Sequence, residues 1–278
     1  MNVRIKRRKR PALKEDRAGK IRNGKDKMET ILEVKNLKKT FYQNRSSHPA
    51  VNRISFSLGK GECLGLVGES GCGKSTTARL ITRLIRPDEG SIVLEGQEMT
   101  ELKGRQLRNM YGRVQMVFQT PQESFDPRCT LGDGIMESMR NQGAGKKAAR
   151  ERMDKLLEMV ELEPELARRY PHEVSGGQCQ RAAIARALAV NPRLLICDEA
   201  TSALDVTVQA QVMELLKKLQ KEMHLSLLFI SHDLALVQAL CNRILVMYQG
   251  KIVEEGTPDE VILHPREEYT KKLIDSVL

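Results

Sequence analysis

The N-terminal part of the chain alternates apolar and polar residues over short runs, a pattern typical of half-buried β-strands. The runs are ILEVKNL (31–37), RISFSL (53–58), ECLGLVG (62–68) and SIVLEG (91–96). Gly59 and Gly61 mark a turn between the second run and the third. The pattern therefore predicts an antiparallel, β-rich layer in this part of the chain.

A helical period replaces this alternation after Lys74 and again in the middle of the chain. The first helix is predicted to stop at Pro87, and its apolar face consists of Ala78, Ile81, Leu84 and Ile85. Between about 121 and 180 the helical pattern is clearest in KKAARERMDKLLEMVEL, where one face carries Met153, Leu156, Leu157 and Val160. This middle segment is predicted to form a separate helical lobe.

Strands and helices alternate in the C-terminal part. The strand LLIC (194–197) is followed by a helix (208–223), the strand LSLLFI (225–230) and another helix. This order predicts a mainly parallel sheet with helices on its faces. RILVMYQGKIVEEG predicts a hairpin that turns at Gln249-Gly250. TPDE then begins a last helix, with Thr257 as its cap and Glu260 completing a capping box.

The net charge of +10 is concentrated at the N-terminus. Residues 1–30 hold twelve Lys and Arg against four acids, a net of +8, which leaves +2 for the other 248 residues. We therefore expect a near-neutral body that does not bind nucleic acid, preceded by a basic leader (1–30) too polar to fold alone. The leader is expected to be a disordered tail, with contact to anionic lipid or RNA as the alternative. Translation starting at Met28 would remove it.

No apolar run approaches the ~20 residues that a helix needs to cross a membrane, and no apolar stretch follows the basic N-terminus as in a signal peptide. We therefore expect the chain to remain in the cytoplasm. The six cysteines include no C-x-x-C pair and no cluster at metal-ligand spacing, so they are expected to be reduced thiols.

The segment GESGCGKST (68–76) follows a predicted strand and begins a predicted helix, which is the context that a phosphate-binding loop requires. Glycines let consecutive backbone N–H groups turn towards phosphates, and the helix N-terminus adds partial positive charge. Lys74 is expected to reach the β- and γ-phosphates of ATP, and Ser75 to offer its hydroxyl to Mg²⁺. The predicted nucleotide-binding residues are Gly68, Ser70, Gly71, Cys72, Gly73, Lys74, Ser75 and Thr76. A thiol reagent on Cys72 is expected to block nucleotide binding by steric hindrance.

The strand LLIC is followed by two carboxylates, Asp198 and Glu199. Asp198 is placed to hold Mg²⁺ through its water shell, and Glu199 to polarise the attacking water as a general base, a role that contributes about 10²–10⁴-fold in rate. An acidic pair after a strand is otherwise most often a solvated turn. Its position 124 residues after Lys74, in a chain that needs a second carboxylate near the metal, favours the catalytic interpretation.

Two further polar residues come at the ends of predicted strands, and parallel strands direct their carboxyl ends to one crevice. His232, in FISHD, can hold the lytic water and contact the γ-phosphate, although a lone histidine there is more often structural. Gln119 ends the predicted strand QMVFQ and can approach both Mg²⁺ and water. An exposed loop glutamine is the alternative for Gln119.

A second glycine pair, Gly176 and Gly177 in VSGGQ (174–178), stands before a predicted helix. Together with the Ser175 hydroxyl and the helix N-terminus, the glycine amides can bind an anion without a lysine of their own. The alternative is a simple hinge between the lobe and the core.

In this order, the motifs resemble those of the nucleotide-binding subunit of an ATP-binding-cassette (ABC) transporter, over residues 31–270. They correspond to a Walker A loop (68–76), a Q-loop (Gln119), a signature (174–178), a Walker B strand (194–199) and an H-loop (His232). SALD (202–205) resembles the D-loop. Val174 and Ala200 replace the family's usual Leu and Pro, and both changes should be tolerated.

The resemblance implies an α/β fold, with a P-loop NTPase (RecA-like) core, an antiparallel β subdomain and an inserted α-helical subdomain. The implied boundaries are 31–118 with 181–256 for the core and β subdomain, 119–180 for the helical subdomain and 257–278 for a C-terminal extension. It also implies a cofactor set of ATP and Mg²⁺, with Glu199, His232 and Gln119 catalytic and Ser75, Gln119 and Asp198 near the metal.

The resemblance further implies that the signature binds the γ-phosphate of ATP held by a partner subunit. Two cassettes would then pack head to tail around the nucleotide. The residues implied in this contact are Ser175, Gly176, Gly177, Gln178 and Asp205. Phe41 is expected to stack on adenine, with Tyr42 as the alternative.

Several segments resemble the oligopeptide, dipeptide and nickel importer ATPases of bacteria, namely GESGCGKST, FDPRCT, RYPHEVSGGQCQR, ALDVTVQAQV and HPREEYTKKLIDSV. The form SGGQCQR resembles the second ATPase of such systems. This implies a sister ATPase (a heterodimer, or else a homodimer), membrane permease subunits, an extracellular substrate-binding protein, and a peripheral location at the cytoplasmic face of the membrane. Because no cysteine follows Cys241, no iron–sulfur cluster is expected.

Two other classes of protein carry related motifs. A non-transport ABC ATPase acting on nucleic acid or ribosomes has only the basic leader in its favour, since neither a coiled-coil insertion nor a second cassette is visible. A P-loop kinase would have no use for the SGGQ segment.

Overall fold

Two β-sheets surrounded by helices make up the computed structural model, which describes residues 29–43, 46–202 and 204–276. Its strands are β1 (Thr30–Gln43), β2 (Ser46–Gly59), β3 (Cys63–Val67), β4 (Glu89–Leu94), β5 (Gln97–Glu98), β6 (Val114–Val117), β7 (Leu194–Asp198), β8 (Ser226–Ile230), β9 (Arg243–Tyr248) and β10 (Lys251–Gly256). Its helices are α1 (Lys74–Ile81), α2 (Gly104–Tyr111), α3 (Leu131–Asn141), α4 (Lys146–Met159), α5 (Gly176–Leu188), α6 (Val206–Met223), α7 (Leu234–Leu240), α8 (Pro258–Leu263) and α9 (Glu268–Asp275). The predicted basic leader (1–30) and the predicted start at Met28 fall on residues 1–28, which lie outside the described part, except for the last two residues of the leader, of which Thr30 already begins β1.

The first sheet is antiparallel, with strand order β2-β1-β4-β5. Its apolar residues face each other across the strands, so that Leu32 pairs with Leu58 on one side and with Leu94 on the other. The predicted antiparallel layer is confirmed for the runs in β1, β2 and β4. The short β5 and the helix α2 were not predicted, because β5 has two residues and α2 is a short, mostly polar segment.

The second sheet has strand order β10-β9-β3-β8-β7-β6, with β3, β6, β7, β8 and β9 parallel and β10 antiparallel at one edge. The run ECLGLVG forms β3 in this sheet, so its predicted place in the antiparallel layer is wrong. All five residues of β3 are buried. A parallel strand that is covered on both faces is apolar along its whole length, and this continuity is what separates β3 from its neighbours in sequence.

The parallel sheet lies between two hydrophobic cores. In β8, Leu227 and Phe229 face a core shared with the helices, whereas Leu228 and Ile230 face a core shared with α1 and the antiparallel sheet. Because side chains alternate between faces along a strand, each central strand contributes to both cores. The parallel sheet is therefore covered by a hydrophobic core on each of its two faces.

The helical lobe consists of α3 and α4 packed against α5, with short 3-10 helices at Pro121–Ser124, Pro164–Arg168 and Pro171–Glu173. The predicted apolar face of α4 is confirmed, since Met153, Leu156, Leu157 and Val160 are at most 1% exposed. The subdomain boundaries 31–118, 119–180, 181–256 and 257–278 stay predictions. In the described residues, no helix combines the length and apolar character needed to cross a membrane.

The residues that follow the β9–β10 hairpin pack against the parallel sheet. The capping box of α8 is confirmed, because the Thr257 hydroxyl accepts from the Glu260 N–H and the Glu260 carboxylate accepts from the Thr257 N–H. The helix α9 is docked on β10 through the Glu254 carboxylate, which accepts from the backbone N–H groups of Arg266 (2.9 Å) and Glu267 (3.2 Å).

Phe229 is fully buried in the central strand β8, so its truncation tests the core. We expect Phe229→Ala to lower the free energy of unfolding by about 3–5 kcal/mol, because a cavity remains where the ring was. Leu263→Ala is the matched control, since Leu263 is 61% exposed. Urea titration should give a change within about 0.5 kcal/mol for the control. Equal shifts for the two variants would contradict this assignment of the core.

Candidate active site

The loop between β3 and α1 has a backbone conformation that requires glycine. Gly68, Gly71 and Gly73 have φ angles of 148°, 80° and 114°. A Cβ on Gly73 would lie 2.1 Å from the carbonyl oxygen of Ala50, and one on Gly68 would lie 2.2 Å from that of Met247. These glycines are therefore needed for the shape of the loop itself.

Lys74 is held within this loop. Its Nζ donates to the carbonyl oxygens of Gly68 (2.7 Å) and Glu69 (2.9 Å), and the residue is only 4% exposed. Carbonyl oxygens stabilise the buried ammonium group but do not neutralise it. The loop thus presents a positive charge that an anion can balance.

A cavity of about 220 Å³ lies beside the lysine and brings together residues from three separate parts of the sequence. It is lined by Ser70, Gly71, Gly73, Lys74, Ser75, Thr76, Gln119 and Glu199. Gln119 lies two residues beyond β6, which ends at Val117 and so is shorter than the predicted strand. The structure therefore places Gln119 and Glu199 in contact with the same space as the phosphate-binding loop.

Asp198 ends β7 under this cavity. Its Oδ1 accepts from the Ser75 hydroxyl at 2.9 Å, and the residue is 5% exposed. Burial raises the pKa of Asp198 above its ordinary value, and the charge of Glu199 adds to this, while the Ser75 hydrogen bond and the nearby cations act in the opposite direction. A carboxylate and a hydroxyl at this distance are hard oxygen donors of the kind that Mg²⁺ prefers. The pair therefore fits a magnesium ion, which would offset the cost of the buried charge.

Glu199 follows Asp198 with a strained backbone, since its φ of 48° is unusual for a residue with a side chain. The conformation is fixed by its N–H, which donates to the Ile230 carbonyl at 3.0 Å, and by Ser202, whose N–H and hydroxyl both donate to the Glu199 carbonyl. The Glu199 carboxylate is 17% exposed, and its Oε1 lies 3.7 Å from Nδ1 of His232. The strand ends thus bring Glu199 and His232 together, with His232 mostly exposed.

A second cavity, of about 680 Å³, lies on the other side of the loop. Its walls include Phe41, Gly71, Cys72 and Tyr248. Phe41 is 44% exposed and lies 5.8 Å from the Lys39 ammonium, whereas Tyr42 is 82% exposed and is not part of this wall. The geometry favours Phe41 over Tyr42 as an aromatic platform for a planar ligand.

Cys72 is less accessible than its place in the loop suggests. The residue is 7% exposed, and its Sγ lies 3.9 Å from Nζ of Lys74. Burial raises the pKa of the Cys72 thiol, although the charge of Lys74 counters this in part. Because the thiolate is the reactive form, we now expect alkylation of Cys72 to be slow.

The signature segment forms the N-terminus of α5. The Ser175 hydroxyl accepts from the Gln178 N–H at 3.2 Å, and the Gln178 side chain accepts from the Ser175 N–H at 3.0 Å. Asp205 acts in the same way on α6, where its carboxylate accepts from the Val208 N–H at 3.0 Å. The side chains of Gln178 and Asp205 thus cap helices. Among the described residues, no signature residue lines the cavity at Lys74.

The two signature glycines differ in their surroundings. A Cβ on Gly177 would lie 2.5 Å from Cγ1 of Val208 on α6, whereas one on Gly176 would lie 3.5 Å from Cδ2 of Leu204. Gly177 therefore allows α5 and α6 to approach closely. Gly176 is exposed and leaves its surface open.

Sequence reasoning missed the residues that the end of β9 contributes. Tyr248, Gln249 and Gly250 line the larger cavity, and the Gly250 N–H donates to the Cys72 carbonyl at 2.9 Å. The signal was present, because β9 is parallel to β3 and ends at the same edge of the sheet. A hairpin turn at that edge necessarily lies next to the loop.

The two glycines allow a matched test of the α5–α6 contact. Gly177→Ala should lower the free energy of unfolding by about 1–3 kcal/mol, because the stiff Val208 side chain leaves no room for a methyl group. Gly176→Ala should leave stability unchanged or slightly raised. Chemical denaturation of both variants checks this, and equal stability of the two would contradict the close approach.

Asp198→Asn is expected to raise the stability of the chain while it lowers activity at the metal site. Folding raises the pKa of the Asp198 carboxyl, so between its ordinary pKa of 3.8 and the folded pKa the native state binds more protons than the unfolded state. The contribution of Asp198 to stability therefore falls as the pH rises through this range, and the charged form is a net cost above it. Asparagine removes this cost and can still accept from Ser75. We expect a higher melting temperature in magnesium-free buffer at pH 7, together with at least about a hundredfold loss of Mg²⁺-dependent ATP hydrolysis. A lower melting temperature would contradict the cost assigned to the buried charge of Asp198.

Similarity to known proteins agrees with this geometry. The chain matches the ABC transporter family over residues 51–202. It is 47% identical over 248 residues to the oligopeptide transport ATP-binding protein OppF of Escherichia coli, covering 88% of this chain and 74% of that protein. It is 48% identical over 257 residues to the glutathione import ATP-binding protein GsiA of Pectobacterium atrosepticum, covering 90% of this chain but only 41% of GsiA. The chain therefore spans less than half the length of that relative.

Solved structures give the same result. The ATP-binding cassette MJ0796, in a dimeric post-hydrolysis state bound to ADP and Pi, matches with a TM-score of 0.76 at 29% identity, covering 82% of this chain and 99% of that one. CbiO1 of Clostridium perfringens, part of the ABC transporter complex CbiONQ, matches with a TM-score of 0.75 at 27% identity, covering 90% of this chain and 94% of that one. The predicted α/β P-loop fold is confirmed. The chain belongs to the ABC transporter family and is one of its ATP-binding, ATP-hydrolysing proteins.

Proposed function

We propose that this ATPase powers the import of small peptides through a separate membrane permease, at the cytoplasmic face of the membrane. One observation carries the proposal, namely the meeting of Lys74, Gln119 and Glu199 around a single cavity in a chain 47% identical to OppF. OppF and GsiA are named for the transport of oligopeptides and glutathione, both of which are peptides. Nickel is the alternative cargo. The nucleic-acid alternative gains no support from these relatives.

The phosphate side of the site follows from the buried charges. Lys74 is proposed to transfer its hydrogen bonds from the Gly68 and Glu69 carbonyls to the β- and γ-phosphates of ATP. Ser75 and Asp198, 2.9 Å apart, would hold Mg²⁺, with Gln119 near it. When bound, the ion neutralises charge that develops on the phosphates. The loop amides and the N-terminus of α1 supply the remaining stabilisation.

The hydrolytic side consists of Glu199 and His232. The Glu199 carboxylate faces the cavity and is proposed to accept a proton from the attacking water. His232, 3.7 Å away, would orient that water and contact the γ-phosphate. This distance is too long for a direct hydrogen bond and too short for a water between the two atoms, so a water that contacts both side chains would lie to one side of the line that joins them.

A second cassette is proposed to complete the site. The signature residues Ser175 and Gly176 are exposed and lie outside the wall of the cavity at Lys74. This supports the use of the Ser175 hydroxyl and the glycine amides by another chain. The dimeric, ADP-bound form of MJ0796 gives a precedent for such an arrangement. A sister ATPase is the proposed partner, with a homodimer as the alternative. An extracellular binding protein would deliver the cargo to the permease.

The permease is proposed to dock near Gln119. A groove of about 150 Å³ lies between the segment that follows α1, the strand β6 and α5, with Leu84, Phe118 and Arg186 among its walls. Leu84 is 53% exposed there. Because Phe118 precedes Gln119, a partner in this groove would be coupled directly to the nucleotide site. The groove thus offers a route from ATP binding to the membrane protein.

Glu199→Gln tests this function in the assembled transporter. The variant should bind MgATP but hydrolyse it at least about a hundredfold more slowly, because the amide cannot accept the proton. Permease, sister ATPase, binding protein and chain would be reconstituted in lipid vesicles, with tripeptide and Ni²⁺ uptake measured separately. Wild-type protein should accumulate the tripeptide on addition of MgATP, and the variant should not.

The outcomes distinguish the parts of the proposal. Uptake of Ni²⁺ in place of the tripeptide would overturn the cargo assignment. Hydrolysis without any uptake would overturn the import function. Full turnover by Glu199→Gln would show that another group is the base.

A further inference from the structure

We propose that Tyr269, on the C-terminal helix α9, is a positioning residue for the phosphate-binding loop, so that its hydroxyl tunes nucleotide affinity through the Gly68–Glu69 peptide group. The phenol oxygen accepts from the Glu69 backbone N–H at 3.1 Å, across 200 positions of sequence. The inference rests on the nucleotide site proposed above, in which Lys74 binds the phosphates.

A single planar peptide group connects Tyr269 with Lys74. The Glu69 N–H and the Gly68 carbonyl belong to the same peptide unit, and such units are rigid. The Gly68 carbonyl accepts from Nζ of Lys74 at 2.7 Å, while the N–H at the other end donates to Tyr269. Tyr269 and Lys74 therefore hold opposite ends of one plane. By preventing a rotation of that plane, the Tyr269 contact keeps in place the oxygen that orients the lysine before nucleotide binds.

Tyr269 is also connected to the larger cavity. Its ring stacks on that of Tyr248, with centroids 4.0 Å apart and an interplanar angle of 28°. Tyr248 ends β9 and lines the cavity that contains Phe41. The next turn reaches the loop again, through the Gly250 N–H and the Cys72 carbonyl. The helix α9 thus supports the nucleotide site at both its phosphate side and its aromatic side.

The position of α9 is itself fixed. Thr270, Leu273 and Ile274 are buried against the core, and the Glu254 carboxylate accepts from the two amides before the helix. Although burial raises the pKa of Glu254, the hydrogen bonds that it accepts hold the pKa below its ordinary value. The carboxylate therefore stays charged at neutral pH. It holds α9 in place, and α9 keeps Tyr269 next to the phosphate-binding loop.

Tyr269→Phe is the direct test, because it removes the hydroxyl and keeps the stacked ring. Calorimetric titration of the full chain with a non-hydrolysable MgATP analogue should show binding roughly two- to tenfold weaker than wild type, the effect of one neutral hydrogen bond. Lys271→Ala, an exposed change on the same helix, is the matched control and should bind as wild type does. In the assembled transporter, the KM for ATP should rise while kcat at saturation is kept.

A measurement on the wild-type protein gives an independent test. Coupling between two sites is reciprocal, so nucleotide binding must stabilise α9 by the same factor by which the Tyr269 contact strengthens nucleotide binding. Addition of MgADP should therefore slow hydrogen exchange of the amides in residues 268–275. In Tyr269→Phe this slowing should be lost.

The outcomes separate this inference from the proposed site. If Tyr269→Phe lowers the melting temperature but leaves nucleotide affinity unchanged, the hydroxyl only docks the helix and the inference is wrong. Unchanged exchange of α9 on nucleotide binding would overturn it as well. If wild-type protein and Lys74→Ala bind the analogue equally, the nucleotide site itself is misplaced.

Discussion

The active site depends on one geometric constraint, which is that five parallel strands end at the same edge of a sheet. Because β3, β7 and β8 are held in register, the loop at Lys74, the carboxylates at Asp198 and Glu199, and His232 emerge side by side. The strand β6 brings Gln119 to the same edge. Two hydrophobic cores hold this sheet from both faces. Residues far apart in sequence thus meet at one edge of the sheet.

Buried charge is the second feature of this edge. Lys74 and Asp198 are both at most 5% exposed, and within the described part of the chain their close polar contacts are with carbonyl oxygens and a hydroxyl rather than with an oppositely charged side chain. Burial raises the pKa of Asp198, so the folded chain carries a cost there that a cation offsets. The strained backbone of Glu199 adds to this cost. Stability is therefore lowered at the positions where the substrate and the metal would restore it.

The sequence predicted the local features of the site well, because each has a strict physical requirement. The loop glycines need positive φ angles, and the capping box of α8 follows from residues three apart. The predictions were weaker for features that tertiary contacts determine, such as the sheet to which a strand belongs. The run ECLGLVG, which contains β3, is as long as ILEVKNL in the predicted layer, and burial on both faces assigns it to the other sheet. Tyr269 gave no local signal, since its partner Glu69 is 200 positions away.

Within one chain, the signature at Ser175 and the cavity at Lys74 are separate features, and our account requires a second cassette to unite them. The most direct measurement is the rate of MgATP hydrolysis per chain as a function of chain concentration, alone and with the sister ATPase added. We predict a rate per chain that rises with the concentration of either partner and then saturates as the dimer fills. A constant and full rate per chain at dilutions where only monomer is present would contradict the account.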